Sequence, residues 1–338
     1  MNLTDPKYAQ HTLVQEMMQT IETVTTFNPE RTKDVAKTIA DAGRLFLTGE
    51  GSSRIFPAKN AIRKSLTWGM DLSIATDGSR QAALYDLTKF AVFCASNSGR
   101  TKEVVLLARN LAETNENRFG LTANEGTLLE KVCKQTWKLN CGWEQAVAAT
   151  KSVIEQALFY ESILWNIQGK DKTAELAKLP AWIQEALTLS IPKEIVDLAV
   201  AAPTIYFAGY NDGVAEELTL KTNEITRKKS DFLEGTYAVH GIEEVMDSED
   251  IVFVIDPIKE EIEKFKEVLA QGVGLKIVAI ADHDTPFTTI RVPKAGEMKP
   301  YVLLCAGWNL LVEIGLAKGI NLDKPERARK VGNELVIL

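Results

Sequence analysis

Two apolar runs of the same form constrain the fold of this chain more than anything else in it. Leu45-Phe46-Leu47-Thr48 runs into Gly49-Glu50-Gly51-Ser52-Ser53, and Ile205-Tyr206-Phe207-Ala208 runs into Gly209-Tyr210-Asn211-Asp212-Gly213. Each reads as a buried strand that stops at a glycine-containing turn and gives way to a helix. Further strand candidates surround the first run: 72–76, 90–95, 119–122 and 137–140. Others surround the second: 251–255, 275–280 and 289–292. Helical spacing covers 11–27, 30–42, the stretch from the first turn to about Trp68, Ala146 to Gln168, and Thr173 to about Leu198. Apolar strands alternating with helices require a parallel sheet covered on both faces. The repetition predicts a duplicated pair of doubly wound α/β domains, 1–195 and 196–338.

In such sheets ligands sit beyond the carboxyl ends of the strands. The run Ser96-Asn97-Ser98-Gly99-Arg100-Thr101 falls at such an end, between the strand 90–95 and an amphipathic stretch from Glu103 to Arg109. A strand-to-helix turn aims unpaired backbone N–H groups and the positive end of a helix dipole at one point, which suits a phosphate. The same residue types also cap helices, and for this run alone capping is the slightly stronger reading. A second polar turn at Gly49 to Ser53, on the same sheet edge, shifts the weight to phosphate. Neither turn is a nucleotide fingerprint: Arg54 stands where a GxGxxG motif has its last glycine, and no Gly-Lys-Ser/Thr follows.

The net charge of −7 argues against a nucleic-acid partner, which needs clustered Lys and Arg. A phosphate held by neutral donors remains compatible with it. Cys94, Cys133, Cys141 and Cys305 form no CxxC pair and read as free thiols of a reducing compartment. With three histidines and no ligand-like spacing, neither a metal nor another cofactor is expected. The sequence shows no signal peptide and is read as having no 18-residue apolar stretch, so a cytoplasmic chain off the membrane is expected.

Beyond Gly213, Glu217, Lys221 and Glu224 recur at i, i+4, i+7 on one helical face. On spacing alone a solvated face explains them. Leu218 and Leu220 on the same helix argue that it lies against the sheet. His240, next to Gly241, is usually a structural residue in such a loop, but it can move protons near neutral pH.

Together these residues resemble the sugar isomerase (SIS) family, and the chain is similar to the isomerase half of glucosamine-6-phosphate synthase and to standalone aminosugar-phosphate deaminases. Ser96 to Thr101 resembles the family's Ser-Gln-Ser-Gly-x-Thr loop, with Asn97 for Gln, and Ser52-Ser53 falls on its Gly-Thr-Ser turn. Glu144 followed by Val147-Ala148-Ala149-Thr150-Lys151 resembles Glu-x-x-Val-Ala-Ser/Ala-Thr-Lys. Glu217, Lys221 and Glu224 match Glu-x-x-x-Lys-x-x-Glu, and His240-Gly241 lies where the family has His-Gly-Pro. The tail from Asp323 to Lys330 is similar to Asp-x-Pro-x-x-x-x-Lys. Ile242 replaces the family's proline, Tyr210 replaces an arginine, and Val331 follows Lys330 directly.

The resemblance implies two tandem SIS domains and a phosphorylated sugar as ligand. It implies that Ser52, Ser53, Ser96, Asn97, Ser98, Thr101, Glu144 and Ala149 hold the phosphosugar. Glu224 would shuttle a proton between C1 and C2, His240 would open the ring, and Lys330 would reach the substrate from the tail. Glu217 and Lys221 would orient them. A homodimer sharing its sites is implied too. Without a preceding glutaminase domain, the expected reaction is conversion of a 2-amino sugar 6-phosphate to fructose 6-phosphate and ammonia. Deglycation of a fructosamine 6-phosphate is the enzymatic alternative, and a non-catalytic phosphosugar-binding module is the alternative of another class.

Overall fold

The computed structural model describes residues 1–336. Ten strands form two sheets of five, and every pairing between neighbours is parallel. The first sheet contains β1 (Arg44–Gly49), β2 (Ser73–Gly78), β3 (Ala91–Ala95), β4 (Arg118–Thr122) and β5 (Gln135–Lys138), in the order β2-β1-β3-β4-β5. The second contains β6 (Thr204–Gly209), β7 (Lys229–Glu234), β8 (Ile251–Ile255), β9 (Lys276–Ala281) and β10 (Thr288–Arg291). Its order, β10-β9-β8-β6-β7, is the first order read from the other edge. In both sheets the chain reverses its winding between the first and third strands, β1 and β3 or β6 and β8. That is the switch point at which such sheets bind ligands.

The central strands are buried throughout, as β3 and β8 illustrate, because helices cover both faces. On the first sheet the covering helix Lys151–Gln168 is buried at every position from Lys151 to Trp165. Phe93 of β3 meets Phe119, Trp137, Phe159 and Tyr160 at centroid separations of 5.3–5.7 Å, within the range of favourable aromatic pairs. Cys94, Cys133 and Cys305 are buried free thiols, and Cys141 is a partly exposed one.

Contacts divide the chain into two compact units, each holding one sheet. The first-sheet unit is 22–145, 149–177 and, among the described residues, 327–336, and the second-sheet unit is 1–21, 146–148 and 178–326. This corrects a division at residue 195. The N-terminal stretch joins the second sheet and the tail joins the first, because their polar anchors lie there. Asp323, read as part of a functional tail motif, accepts hydrogen bonds from Thr12 N and Leu13 N, both at 2.8 Å. It thus caps the helix Thr12–Thr25 from a distant part of the sequence. Asp323→Ala is expected to lower stability by about 0.5–2 kcal/mol, the usual worth of a cap. The measurement is a lower denaturant midpoint at unchanged slope.

A second correction concerns the membrane reading. The segment Gly296–Ala317 is long and apolar enough to cross a bilayer, with a mean hydropathy of 1.5, so an 18-residue apolar stretch does exist. In the structure 83% of that window is buried, and the helix Lys299–Ala317 forms the core of the second-sheet unit. At Gly307 a Cβ would stand 2.3 Å from Leu218 Cδ2, so the absence of a side chain lets the helix Val214–Lys221 approach.

Candidate functional site

In the first-sheet unit the two polar turns meet at the switch point. Gly49 marks the place: a Cβ there would stand 2.8 Å from Ser53 O and 2.9 Å from Ala95 O. Only a glycine lets the turn after β1 and the end of β3 come this close. Ser52 is buried and Ser53 half-buried, and Gln156 Nε2 donates to Ser53 O at 2.6 Å, fixing the turn.

The loop after β3 answers the question of capping. Thr101 stands at the N-cap of the helix Lys102–Leu111, yet its side chain caps nothing. Its hydroxyl lies 2.8 Å from Ser96 Oγ, which in turn lies 3.4 Å from Ser98 Oγ. Three hydroxyls thus gather inside the loop. Gly99 holds its tight bend at φ +62°, where a Cβ would collide with Thr127 at 2.4 Å.

Glu144 anchors the segment that follows it. It is fully buried and accepts from Thr150 N (2.7 Å), Thr150 Oγ1 (3.1 Å), Asn97 Nδ2 (3.0 Å) and Ser152 Oγ. Those bonds hold residues 145–150 in a loop, so the helix expected from Ala146 begins at Lys151. Half-buried Ala149 lies on that loop.

Lys330 is in the same unit, with Nζ 5.7 Å from the ring centroid of Trp143, a cation–π arrangement. The tail continues along the loop after β3. Lys102 N donates to Asn333 O at 3.0 Å, Leu335 N donates to Arg100 O at 2.9 Å, and Glu334 pairs with Arg100 at 3.2 Å. A cavity of about 300 Å³ lies here, lined by Ser98, Asn124, Thr127, Trp143, Val331 and Glu334 among others. Trp143 is 42% exposed and was missed from sequence. Its signal is a large aromatic directly before Glu144, in a turn otherwise read for its acid.

In the second-sheet unit, Asp212 Oδ1 accepts from Val214 N at 3.1 Å and opens the helix Val214–Lys221. The chain then takes a π-helical turn, Thr222–Thr226. This departs from a continuous α-helix through Glu224, and such wide turns recur at functional sites. Lys221 and Glu217 are wholly buried, whereas the Glu224 side chain is 25% exposed. Lys221 Nζ lies 3.3 Å from Glu217 Oε1 and 2.8 Å from Glu224 Oε2. Burial alone pushes the Lys221 ammonium towards a lower pKa, but the two carboxylates outweigh it and raise the pKa above its ordinary value. The solvated-face reading is therefore wrong for two of the three residues.

His240 ends a short 3₁₀ turn, Tyr237–Val239, and is exposed. Among the described residues no hydrogen bond or ion pair reaches its imidazole. The structure thus assembles Ser52, Ser53, Ser96, Asn97, Ser98, Thr101, Glu144, Ala149 and Lys330 in one unit. It places Glu217, Lys221, Glu224 and His240 in the other. One group with metal-ligand geometry exists among the described residues, Asp256, Asp282 and His283. The Lys299 ammonium already stands there, 2.8 Å from Asp256 and 3.8 Å from Asp282.

No family model matches the chain. It is 26% identical over 342 aligned positions to the glutamine–fructose-6-phosphate aminotransferase (isomerizing) of Methanocaldococcus jannaschii, covering 95% of this chain and 31% of that protein. The enzyme of the same name from Neisseria meningitidis serogroup A is also 26% identical, over 90% of this chain and 54% of its own length. The chain therefore spans about a third to a half of these curated relatives. Among solved structures, it superimposes on the C-terminal domain of glucosamine-fructose-6-phosphate aminotransferase from Francisella tularensis with a TM-score of 0.77. That match has 18% identity and covers 94% of this chain and 98% of the other. Glucosamine-6-phosphate deaminase from Thermotoga maritima matches at TM-score 0.70 and 18% identity, over 95% and 99%. In sequence and in fold, the chain resembles the sugar isomerase (SIS) proteins and, among them, the isomerase half of glucosamine-6-phosphate synthase.

Proposed function

We propose that this chain is a phosphosugar isomerase of two tandem SIS domains that deaminates a 2-amino sugar 6-phosphate. The observation that carries this reading is the hydroxyl-lined loop at the β1/β3 switch point, whose Thr101 and Ser96 are not used to cap the helix. Ser52, Ser53, Ser96, Ser98 and Thr101 hold the 6-phosphate. Anchoring that inert end lets binding energy position the reacting carbons.

His240 moves a proton between the ring oxygen and the C1 hydroxyl, opening the ring. Glu224 then takes the proton from C2 of the open aldose and returns it to C1, while O1 gains a proton and the amine nitrogen gives one up. The product is an imine at C2, which one water hydrolyses to fructose 6-phosphate and ammonia. Lys221 orients the Glu224 carboxylate from 2.8 Å, and Glu217 balances the charge of that ammonium. Lys330 approaches from the tail, where it steadies the enediol-like oxygen. No cofactor is required for these steps. A cytoplasmic homodimer, with His240 completing the partner's site, accords with this division of labour.

Ser96→Ala combined with Thr101→Ala is expected to weaken binding of a hexose 6-phosphate at least tenfold and leave the weak binding of the free hexose unchanged. Calorimetric titration with both sugars measures this, and an equal loss for the two removes the phosphate assignment. Ammonia and ketose release across 6-phosphorylated 2-amino sugars and fructosamines then identifies the substrate. Ammonia from neither class, with binding intact, rules out the deaminase reading.

A further inference from the structure

Asn97 occupies the second position of the phosphate loop, yet what its side chain leaves for a ligand is an acceptor rather than a donor. Its backbone carbonyl accepts from Ala123 N (3.1 Å), Thr122 Oγ1 (3.1 Å) and Asn124 Nδ2 (2.8 Å). Its amide nitrogen donates to Glu144 Oε2 at 3.0 Å and to Ser152 Oγ at 3.2 Å. A carboxylate only accepts, so Glu144 dictates which way the amide faces. The Ser152 hydroxyl spends its own proton on Glu144 and keeps lone pairs for Asn97. Both N–H bonds of Asn97 are thereby committed away from a ligand.

What is left is Oδ1. It is shielded from solvent, and among the described residues no donor reaches it. A buried acceptor without a partner costs free energy, and native structures rarely leave one without a reason. Its surroundings are pre-organised from both ends, as a binding group requires. The oxygens of a phosphate dianion cannot serve as its partner, because two acceptors repel. We propose that Asn97 accepts a hydrogen bond from an O–H or N–H group of the sugar, and that Glu144 is the positioning residue that fixes it in that orientation. Ser52, Ser53, Ser96, Ser98 and Thr101 keep the phosphate. This inference rests on the phosphosugar reading and removes Asn97 from its anion-binding set.

The experiment compares two probes by calorimetric titration of the full chain: inorganic phosphate, and sorbitol 6-phosphate, which carries hydroxyl donors but no reactive carbonyl. Asn97→Ala leaves Glu144 three of its donors, so the fold survives, and an unchanged melting temperature checks it. The expected result is a loss of about five- to tenfold for sorbitol 6-phosphate, the worth of one hydrogen bond, with the phosphate affinity unchanged within twofold. Glu144→Gln supplies the second arm. Its amide donates where the carboxylate accepted, so Asn97 turns over and presents N–H to the ligand. That variant loses sorbitol 6-phosphate affinity as Asn97→Ala does and retains or gains phosphate affinity. Equal losses for both probes, or no loss for either, overturn the proposal. A wild-type protein that binds neither probe overturns the phosphosugar reading itself, and this assignment with it.

Discussion

Glu224→Gln lowers turnover by two to four orders of magnitude and leaves phosphosugar affinity within a few-fold of wild type. The size follows from the chemistry, since one side chain that removes and returns a carbon-bound proton contributes about 10²–10⁴-fold. The substitution is isosteric, so the amide oxygen still accepts from Lys221 Nζ, which stands 2.8 Å from the carboxylate. What disappears is the ability to take a proton. The hydroxyls of the loop after β3 bond within that loop and not to Glu224, so ground-state binding through the phosphate is expected to be retained. The check is kcat beside a separately measured Kd, since KM alone mixes the two. Persisting turnover with unchanged affinity would mean that another group carries the proton.

Lys221→Met is expected to cost about 3–5 kcal/mol of stability, because it leaves Glu217 wholly buried without its counter-charge. For a protein of this size that shift lowers the melting temperature by roughly 4–7 °C. The double variant Lys221→Met with Glu217→Gln recovers much of the loss, since no charge then remains enclosed. A single variant as stable as wild type would show that the pair is solvated. The pH dependence has a definite sign. The Lys221 pKa is raised in the folded chain above its ordinary 10.5, so its contribution is complete below about pH 10.5. It is lost only as pH rises through the folded value. The gap between wild type and Lys221→Met is therefore flat from neutral pH upward and narrows only in strong alkali.

The sheets were legible because their central strands, such as β3, β6, β8 and β9, are largely apolar runs, and nine of the ten strands appear in the sequence within a few residues. β7 escaped because Lys229-Ser230-Asp231-Phe232 carries mostly polar side chains, as an edge strand with one paired neighbour can. The helix start at Lys151 and the π turn at Thr222–Thr226 were hidden for a related reason. Both are set by side chains distant along the chain or by packing, not by periodicity. The Ser96–Thr101 loop was found from composition alone. Its division of labour was not, because no spacing rule tells whether an amide beside a hydroxyl donates to a ligand or is turned by a buried acid. Trp143 and Asn124 entered only with the fold, since each lies in a turn whose function depends on its neighbours in space.

The exchange of chain segments between the two sheets has a practical consequence for dissecting this protein. No single peptide bond separates the units. A cut at residue 195 would give an N-terminal piece carrying residues 1–21 that belong to the second-sheet unit and lacking the tail whose Asn333 and Leu335 pair along Arg100 to Lys102. The complementary piece would lose the helix that Asp323 caps. Each fragment would expose a vacated surface and carry a strand of chain with no place to go. Halves made for separate study should therefore be stitched from the non-contiguous stretches with short linkers, in the manner of a circular permutation, rather than produced by truncation.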